Sequence, residues 1–377
     1  MIFLHTSDWH IGAMEGDRSL LEDQQFFIDG ICSVIQENRV DAVLIAGDVY
    51  DRPVASAEAI RLYDHAVTRI CRDLNTPVLI IAGNHDSAER LASCSDLLAP
   101  AGLHVIGEAS RTPQKVSFAD TDVYMLPWIT EEKVRSLFPE EKEGIKSLED
   151  AYRVVTDSMR GTFDPEKKHL ILAHAFITDS ETSTSDRAAE IGFAVQVPAA
   201  VFDGFDYVAL GHLHKPQDVN SRIRYSGTPM PYSFGREETQ EKSVTLLDTE
   251  SMSRRIIPLP LLHRRTTLAG TLDELLRPTA DEAVRNGYVR LQISDAYVGL
   301  ETLSALRNVY PNLLEVSGKN YDDDNGAVML SAEELRRLES DPMEVFRHFC
   351  REELDLDADE HQLALFADAV KAGEETA

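Results

Sequence analysis

The chain has 377 residues, of which 43% are hydrophobic and 27% charged, and its formal net charge is −28. This length predicts one large domain and a smaller one, because a single core stops growing beyond about 250–300 residues. The charge argues against a protein that holds DNA through a broad basic surface, since Lys and Arg contacts to phosphate supply much of that affinity. No stretch approaches the roughly 18 consecutive apolar residues that span a bilayer, and no signal-peptide pattern is present, so we expect a cytoplasmic protein without membrane contact.

Three strand–loop–helix units open the chain. Residues 2–6, 42–46 and 77–81 are continuous apolar runs of strand length, and each ends at a polar cluster. Residues 20–38 and 57–74 carry apolar side chains at helical spacing. Continuous apolar strands that alternate with amphipathic helices are typical of a sheet covered on both faces. The pattern therefore predicts an α/β fold.

Shorter strand-like segments follow from about residue 104 and indicate a second sheet. An acidic, helical insertion is predicted over 131–160. Strands of that sheet are predicted over 116–118 and 123–126, further strands over 170–173, 207–210 and 224–226, and closing strands over 244–247 and 255–257.

The pattern changes again after about residue 262. We predict one domain over 1–262, a small α/β domain over 263–335 and a helical segment over 341–372. The apolar stripes of that last segment fit packing onto its own domain and docking onto a partner equally well.

Polar clusters follow the predicted strands directly. Ligands of open α/β sheets bind beyond the carboxyl ends of the strands, so these clusters are expected to lie together. Asp8 and His10 are alternate residues and point to the same side, as do His212 and His214. A single histidine at a strand end is more often a structural hydrogen-bonding group, but five such clusters are hard to obtain by chance. The candidate metal ligands are Asp8, His10, Asp48, Asn84, His174, His212 and His214, with His85 beside them.

This set of donors predicts a two-metal phosphoesterase. Neutral imidazole and carboxylate ligands suit Mn²⁺, Fe²⁺ or Zn²⁺. The two oxygens of Asp48 can bridge two cations. Two metals about 3.5–4 Å apart clamp a phosphoryl group and activate water near neutral pH.

Together, Asp8-x-His10, Gly47-Asp48, Gly83-Asn84-His85-Asp86, Ala173-His174 and Gly211-His212-x-His214 resemble the motifs of the calcineurin-like metallophosphoesterases. More narrowly, His5-Thr6-Ser7-Asp8-Trp9-His10 and Tyr225-Ser226-Gly227-Thr228-Pro229 resemble the SbcD family, which is the bacterial counterpart of the eukaryotic double-strand-break repair nuclease. The resemblance implies a four-layer α/β/β/α sandwich with a smaller C-terminal α/β capping domain and a helical tail.

Carried over to this chain, the resemblance implies two Mn²⁺ ions, with Mg²⁺ or another divalent ion as alternatives. One ion would lie among Asp8, His10, Asp48 and His214. The other would lie among Asp48, Asn84, His174 and His212, with Asp48 bridging. His85 would be catalytic, facing the scissile phosphodiester rather than a metal. Asp51 and Asp86 would orient ligands.

The same resemblance implies a DNA nuclease that degrades double-strand ends 3′ to 5′ and cuts hairpins and single strands in repair, recombination and replication. Its partners would be double-stranded DNA ends and hairpins, a second copy of the chain, and an SbcC-type coiled-coil ATPase docked on residues 341–372. A separate ATPase fits both the acidic charge and the lack of a Walker-type phosphate loop. The loop at 178–187 would line the DNA path or be a mobile solvated loop.

Two alternatives remain from the residues themselves. One is a small-substrate phosphatase or phosphodiesterase of the same fold. The segment beyond residue 265 argues against it, because a small substrate needs no extra domain. The other is a DNA-end scaffold with little catalysis, which the complete ligand set and His85 argue against.

Overall fold

The computed structural model describes residues 1–15, 18–178, 180–183, 185–186, 196–296, 298–318, 328–330, 363 and 366. The chain divides into two compact units. One consists of Met1–Ala13 and Ser19–Leu262, and the other of Met14–Arg18 and the residues from His263 onward. No helix in the described ranges is both long and apolar enough to cross a membrane.

The elements are numbered in chain order. The strands are β1 (Ile2–Thr6), β2 (Met14–Glu15), β3 (Arg18–Ser19), β4 (Ala42–Ile45), β5 (Val78–Ile81), β6 (Leu103–Ile106), β7 (Lys115–Ser117), β8 (Thr121–Leu126), β9 (Lys168–His174), β10 (Tyr207–Gly211), β11 (Gln217–Asp218), β12 (Ile223–Tyr225), β13 (Ser243–Asp248), β14 (Ser253–Pro258), β15 (Arg265–Gly270), β16 (Tyr288–Ile293), β17 (Leu313–Gly318) and β18 (Val328–Leu330). The α-helices are α1 (Leu21–Asn38), α2 (Ala57–Thr68), α3 (Ala88–Leu91), α4 (Ser95–Leu98), α5 (Glu131–Leu137), α6 (Leu148–Arg160), α7 (Leu272–Leu275), α8 (Glu282–Asn286) and α9 (Leu300–Val309).

Two mixed sheets build the larger unit. The first has the strand order β14-β13-β1-β4-β5-β6, in which β1, β4, β5 and β6 are parallel. The second has the order β11-β12-β10-β9-β8-β7, in which β8, β9, β10 and β12 are parallel. The parallel strands of each sheet therefore end together, as the sequence predicts for the polar clusters.

The two sheets pack face to face over one apolar cluster, with helical layers outside. Alternate residues of the strands point to opposite faces. The residues between the sheets include Phe3, Leu44, Leu79, Val123, Leu170 and Ala209.

The outer face of the second sheet is covered by helices of the predicted acidic insertion, because Ile171 and Leu210 pack with Tyr152 and Val155 of α6. A capping box between Ser147 and Asp150 begins α6. On the first sheet, the outward residues Leu4 and Val43 are fully buried, as are the apolar faces of α1 and α2. The predicted α/β/β/α sandwich is therefore confirmed.

The second unit contains a four-stranded sheet in the order β15-β16-β17-β18. The first three strands are parallel and β18 is antiparallel, and α9 packs on the sheet through Leu303 and Leu306. Residues 14–18 belong to this unit, where Glu15 pairs with Arg265 at 2.8 Å and Arg18 donates to Asn312 at 2.6 Å. The helices predicted over 341–372 lie outside the described residues, except that Leu363 and Phe366 are helical. The capping and docking roles of this region stay predictions.

Candidate metal centre

The carboxyl ends of five strands carry the predicted site residues to one place. Asp8 and His10 follow β1, Asp48 follows β4, Asn84 and His85 follow β5, His174 ends β9, and His212 and His214 follow β10. Three groups of residues each bring their candidate ligand atoms within 4.8 Å of one another. The groups are Asp8, His10 and His214; Asp8, Asp48 and His174; and His10, Asp51 and His85. The cluster is a candidate site for a divalent metal.

Asp48 lies at the centre of the cluster. Its Oδ2 is 3.4 Å from Nε2 of His174 and 4.0 Å from Nε2 of both His10 and His85. Its Oδ1 accepts a hydrogen bond from the backbone N–H of His85 at 2.9 Å. The carboxylate is 2% exposed, so it requires a nearby cation or several donors.

On one side of Asp48, a ring nitrogen of His10 and one of His214 face each other as possible metal ligands. Their Nε2 atoms are 3.1 Å apart, and Asp8 completes the group. Two neutral rings so placed can share one proton or bind one cation between them. Asp8 is oriented by the backbone N–H of His212 at 2.9 Å and by the hydroxyl of Ser7 at 2.5 Å. Two imidazoles with a carboxylate are a donor set that fits a divalent ion.

On the other side of Asp48, the side-chain oxygen of Asn84 lies close to one ring nitrogen of His174 and one of His212, so three possible metal-ligating atoms lie together. Oδ1 of Asn84 is 2.9 Å from Nε2 of His174 and 3.0 Å from Nδ1 of His212. His174 donates its Nδ1–H to the carbonyl of Ala46 at 2.8 Å, so in the neutral ring Nε2 carries a lone pair. That lone pair and the amide oxygen repel each other unless a proton or a cation lies between them. A cation can take the place of that proton, so this side fits a second cation.

Burial and mutual charge set the protonation of the cluster. Burial lowers the pKa of His10 and of His212 to about 3 and holds the pKa of His214 well below its ordinary value. These rings are neutral, which is the form that binds metals. Burial raises the pKa of Asp8 to about 7. Burial also disfavours a charged His174, but the Asp48 carboxylate outweighs it and raises the pKa of His174 to about 9.

The loops that hold the ligands have unusual backbone geometry. Asp8, His10, Asp48 and His212 have φ angles of 52°, 44°, 50° and 102°, in a region that non-glycine residues rarely adopt. Residues held in such conformations cluster at functional sites, because the surrounding fold has to stabilise them. A Cβ at Gly83 would lie 2.1 Å from Oδ1 of Asp48, so the loop after β5 can approach the carboxylate only with glycine there.

His85 lies beside the metal cluster with a defined ring orientation. Its Nδ1 is 3.0 Å from the carbonyl of Asp51, which can only accept, so this nitrogen carries a proton and Nε2 faces the cluster. Asp86 accepts from the backbone N–H groups of Val49, Tyr50 and Gly83 at 2.9–3.1 Å. It therefore ties the loop after β4 to the loop after β5.

Several residues that contact the cluster were not identified from the sequence. Trp128 stacks on His212 with ring centroids 5.3 Å apart. Ser185, in the loop predicted over 178–187, lies 2.6 Å from Nδ1 of His214, and its hydroxyl also contacts Glu237. Trp128 follows β8, which is parallel to β9 and ends at the same edge, and Ser185 lies in the loop after β9. Neither side chain is a typical metal ligand, so the ligand pattern in the sequence does not mark them.

The sequence profile described as calcineurin-like phosphoesterase matches residues 1–216, which is more than half of the 377 residues. The chain belongs to the calcineurin-like phosphoesterase family and is a hydrolase that acts on phosphoester bonds. It is similar to the SbcD component of the nuclease SbcCD from Staphylococcus epidermidis, with 29% identity over 326 residues that make up 85% of this chain and 86% of the relative. The SbcD C-terminal profile, described as the type 5 capsule protein repressor C-terminal domain, matches residues 260–353. The resemblance to the SbcD family is thus confirmed.

Two solved structures are also similar. One is described as a novel archaeal phosphodiesterase, with 15% identity and a TM-score of 0.34. The other is Yfce, a phosphoesterase from E. coli, with 13% identity and a TM-score of 0.29. Each match includes 69% of the present chain and the full length of the solved structure's chain, 100%.

Proposed function

We propose that this chain is a Mn²⁺-dependent DNA nuclease, the catalytic subunit of a complex with a separate SbcC-type coiled-coil ATPase. The observation that carries the proposal is the convergence of the other six candidate ligands and His85 around Asp48. The similarity to the SbcD component of the staphylococcal nuclease extends over 85% of the chain and includes the second unit, which supports DNA over a small phosphate ester as substrate.

The ligand assignment follows from the two sides of Asp48. Asp8, His10 and His214 would hold one divalent ion, while Asn84, His174 and His212 would hold the other, and Asp48 would contribute to both. Such a pair supplies Lewis-acid activation of water and neutralises the charge that develops on phosphoryl oxygens. The backbone contacts to Asp8 and Asp48 hold both carboxylates in place before substrate binds.

His85 acts on the substrate rather than on the metals. The hydrogen bond from Nδ1 to the Asp51 carbonyl fixes the ring, so that Nε2 is directed toward the metal cluster, where the phosphodiester would bind. A protonated Nε2 can donate to the departing oxygen or stabilise the charge that develops on the phosphate.

The ATPase partner accounts for the charge of the chain. A formal net charge of −28 repels DNA, and two divalent ions offset only about four of those charges. Affinity for DNA comes mainly from Lys and Arg contacts to phosphate, so most of the DNA affinity has to come from a partner. We infer that the segment at 341–372, which the sequence predicts to be helical, docks the ATPase.

Cleavage of a DNA hairpin tests the proposal. We expect purified full-length chain to cut a hairpin in Mn²⁺, to lose activity in EDTA, and to cut faster when the co-expressed ATPase and ATP are present. Release of phosphate from p-nitrophenyl phosphate serves as the comparison. Hydrolysis of that small ester without attack on DNA, either alone or with the ATPase, would show that the chain is a small-substrate phosphatase.

A further inference from the structure

A hydrogen-bonded chain of two side chains lies behind His214, on the side of the ring opposite the metal cluster. The Ser185 hydroxyl oxygen is 2.6 Å from Nδ1 of His214. The same hydroxyl contacts Oε1 of Glu237, and the backbone N–H of Ser185 donates to that oxygen at 3.2 Å. Ring, hydroxyl and carboxylate therefore form a continuous chain that ends in a side chain only 1% exposed.

The direction of the protons in this chain follows from Glu237. Its carboxylate receives hydrogen bonds from the backbone N–H of Tyr232 at 2.9 Å and from the hydroxyl of Ser233 at 2.9 Å. It also receives one from the ammonium group of Lys242 at 3.2 Å. All these partners are donors, and a carboxylate paired with a buried ammonium group acts only as an acceptor. The Ser185 hydroxyl must therefore donate to Glu237.

A serine that donates to Glu237 can only accept from His214. Its remaining lone pairs face Nδ1, which has to carry the proton of the neutral ring. Nε2 is then left bare, and it is the atom that lies 3.1 Å from Nε2 of His10. The opposite tautomer would direct an N–H into the metal cluster and leave two acceptors facing each other at Ser185.

The backbone of His214 is held as firmly as its ring. Its N–H donates to Oδ1 of Asp186 at 3.0 Å, and its carbonyl accepts from Lys242 at 3.1 Å. The same Asp186 oxygen is 3.6 Å from Nδ1, which is too far for a hydrogen bond. Ser185 is therefore the partner that selects the ring tautomer, whereas Asp186 and Lys242 place the main chain.

We propose that Ser185 and Glu237 are positioning residues that fix the tautomer and orientation of His214 for a divalent cation. This inference rests on the proposed function, because it takes His214 as a metal ligand. Partners on the outer nitrogen of a metal-binding histidine raise its basicity and fix its ring, and their loss costs about 10- to 100-fold in metal affinity. In this chain the Ser185 hydroxyl contacts the ring directly, and the buried Glu237 carboxylate fixes the direction of that hydroxyl.

Mn²⁺ binding to the metal-free full-length chain tests the proposal by isothermal titration calorimetry. In Ser185→Ala we expect one of two Mn²⁺ sites to weaken by about 10- to 100-fold and the other to be unchanged. Ser185→Thr retains the hydroxyl and should restore the affinity. Ser233→Ala is the matched control, since it removes one hydroxyl donor to Glu237 that does not reach His214.

The ring tautomer gives a second readout that a purely structural role would not change. In the ¹⁵N spectrum of the metal-free protein, with His214 assigned from a His214→Ala sample, we expect the Nδ1–H form in wild type and a mixture in Ser185→Ala. Unchanged Mn²⁺ affinity in Ser185→Ala, or an equal loss in Ser233→Ala, would overturn the inference while leaving the nuclease proposal intact. A wild-type chain that binds no Mn²⁺ would overturn both.

Discussion

Three histidines of the metal centre use Nδ1 to bind an oxygen outside it. For His174 the oxygen is the carbonyl of Ala46, for His85 it is the carbonyl of Asp51, and for His214 it is the Ser185 hydroxyl. In each ring Nε2 is thereby directed inward. His212 differs, because its Nδ1 is the atom that lies 3.0 Å from Asn84. Ligand identity can thus be predicted from spacing, but the choice of ring nitrogen depends on contacts made after folding.

His85→Ala should slow DNA cleavage by about 100- to 10,000-fold, the range expected for loss of a general acid–base group. Mn²⁺ affinity should persist, since the ring faces the cluster without completing either group of metal ligands. Single-turnover cleavage and calorimetry measure the two effects separately. His104→Ala, on β6 and outside the metal centre, is the control. Cleavage at the wild-type rate by His85→Ala would show that this residue has no catalytic role.

The pH dependence of Mn²⁺ binding should reflect the proton on His174. The metal-free fold retains this proton up to about pH 9, whereas a free imidazole releases it near 6.5. The ion pair with Asp48 therefore stabilises the fold fully below pH 6.5, and this contribution is lost as pH rises through about 9. Because metal has to displace that proton, affinity should rise by about tenfold per pH unit between about pH 7 and 9, and more steeply below pH 7, where the Asp8 carboxyl also retains a proton.

Two measurements check this expectation. Calorimetry at several pH values gives the slope, and buffers of different ionisation enthalpy give the number of protons released. An affinity that stays constant between pH 6.5 and 9 would show that His174 is already neutral in the metal-free protein.

At the scale of elements, the geometry of the metal centre depends more on the loops that follow the strands than on the strands themselves. Each of these loops has to turn sharply and aim a ligand, which explains the positive φ angles of Asp8, Asp48 and His212. Glycines at the strand ends permit close approach, since a Cβ at Gly211 would lie 1.9 Å from the carbonyl of Ala46.

Gly83→Ala should disrupt the centre through Asp48. The added Cβ would lie 2.1 Å from Oδ1, and neither the carboxylate nor the backbone around it can move freely. We expect a loss of about 1–3 kcal/mol in the free energy of unfolding, typical of overpacking, together with weaker binding of both Mn²⁺ ions. Urea unfolding and calorimetry measure these effects.

Gly299→Ala is the matched control, because a Cβ there meets nothing within 4 Å. It should leave metal binding unchanged. Normal Mn²⁺ affinity in Gly83→Ala would mean that the Asp48 carboxylate is not the shared ligand.

At the scale of the whole molecule, we expect the homodimer that the family resemblance predicts to form through exposed apolar residues on and near α2 and α4. Val54, Ile60, Leu97 and Leu98 are 69%, 51%, 80% and 38% exposed, and Ile60 and Leu98 line the same cavity beside α2 and α4. Large exposed apolar groups that lie together mark interaction surfaces. From the family resemblance, we expect a second copy of the chain to bind at these residues.

Leu97→Asp should weaken that dimer. Burying a leucine contributes about 1.5–3 kcal/mol, so the dissociation constant should rise by at least about tenfold. Sedimentation equilibrium of the full chain measures it, with Ile256→Asp on β14, where the side chain is 43% exposed, as the control. A wild-type chain that remains monomeric at high concentration, or an unchanged constant in Leu97→Asp, would contradict the prediction.

Much of the fold and of the candidate site could be predicted from the sequence. The apolar runs at 2–6, 42–46 and 77–81 are long enough and continuous enough to identify buried parallel strands, as β1, β4 and β5 confirm. Parallel strands end at one edge, so the ligands that follow them had to meet there. The assignment of residues 14–18 to the second unit could not be predicted, because it depends on Arg18 and Glu15 meeting partners about 250 residues or more away.

By itself, the sequence determined the two-sheet architecture, the eight residues at the strand ends and the excess of acidic charge, since hydrophobic period, turn residues and composition are local properties. The tertiary structure alone decided which ring nitrogen faces inward and which loop supports His214. It also decided that Trp128 stacks on His212. Those features arise from contacts between segments far apart in the chain, such as the 52-residue separation of Ser185 and Glu237, and no local pattern encodes them.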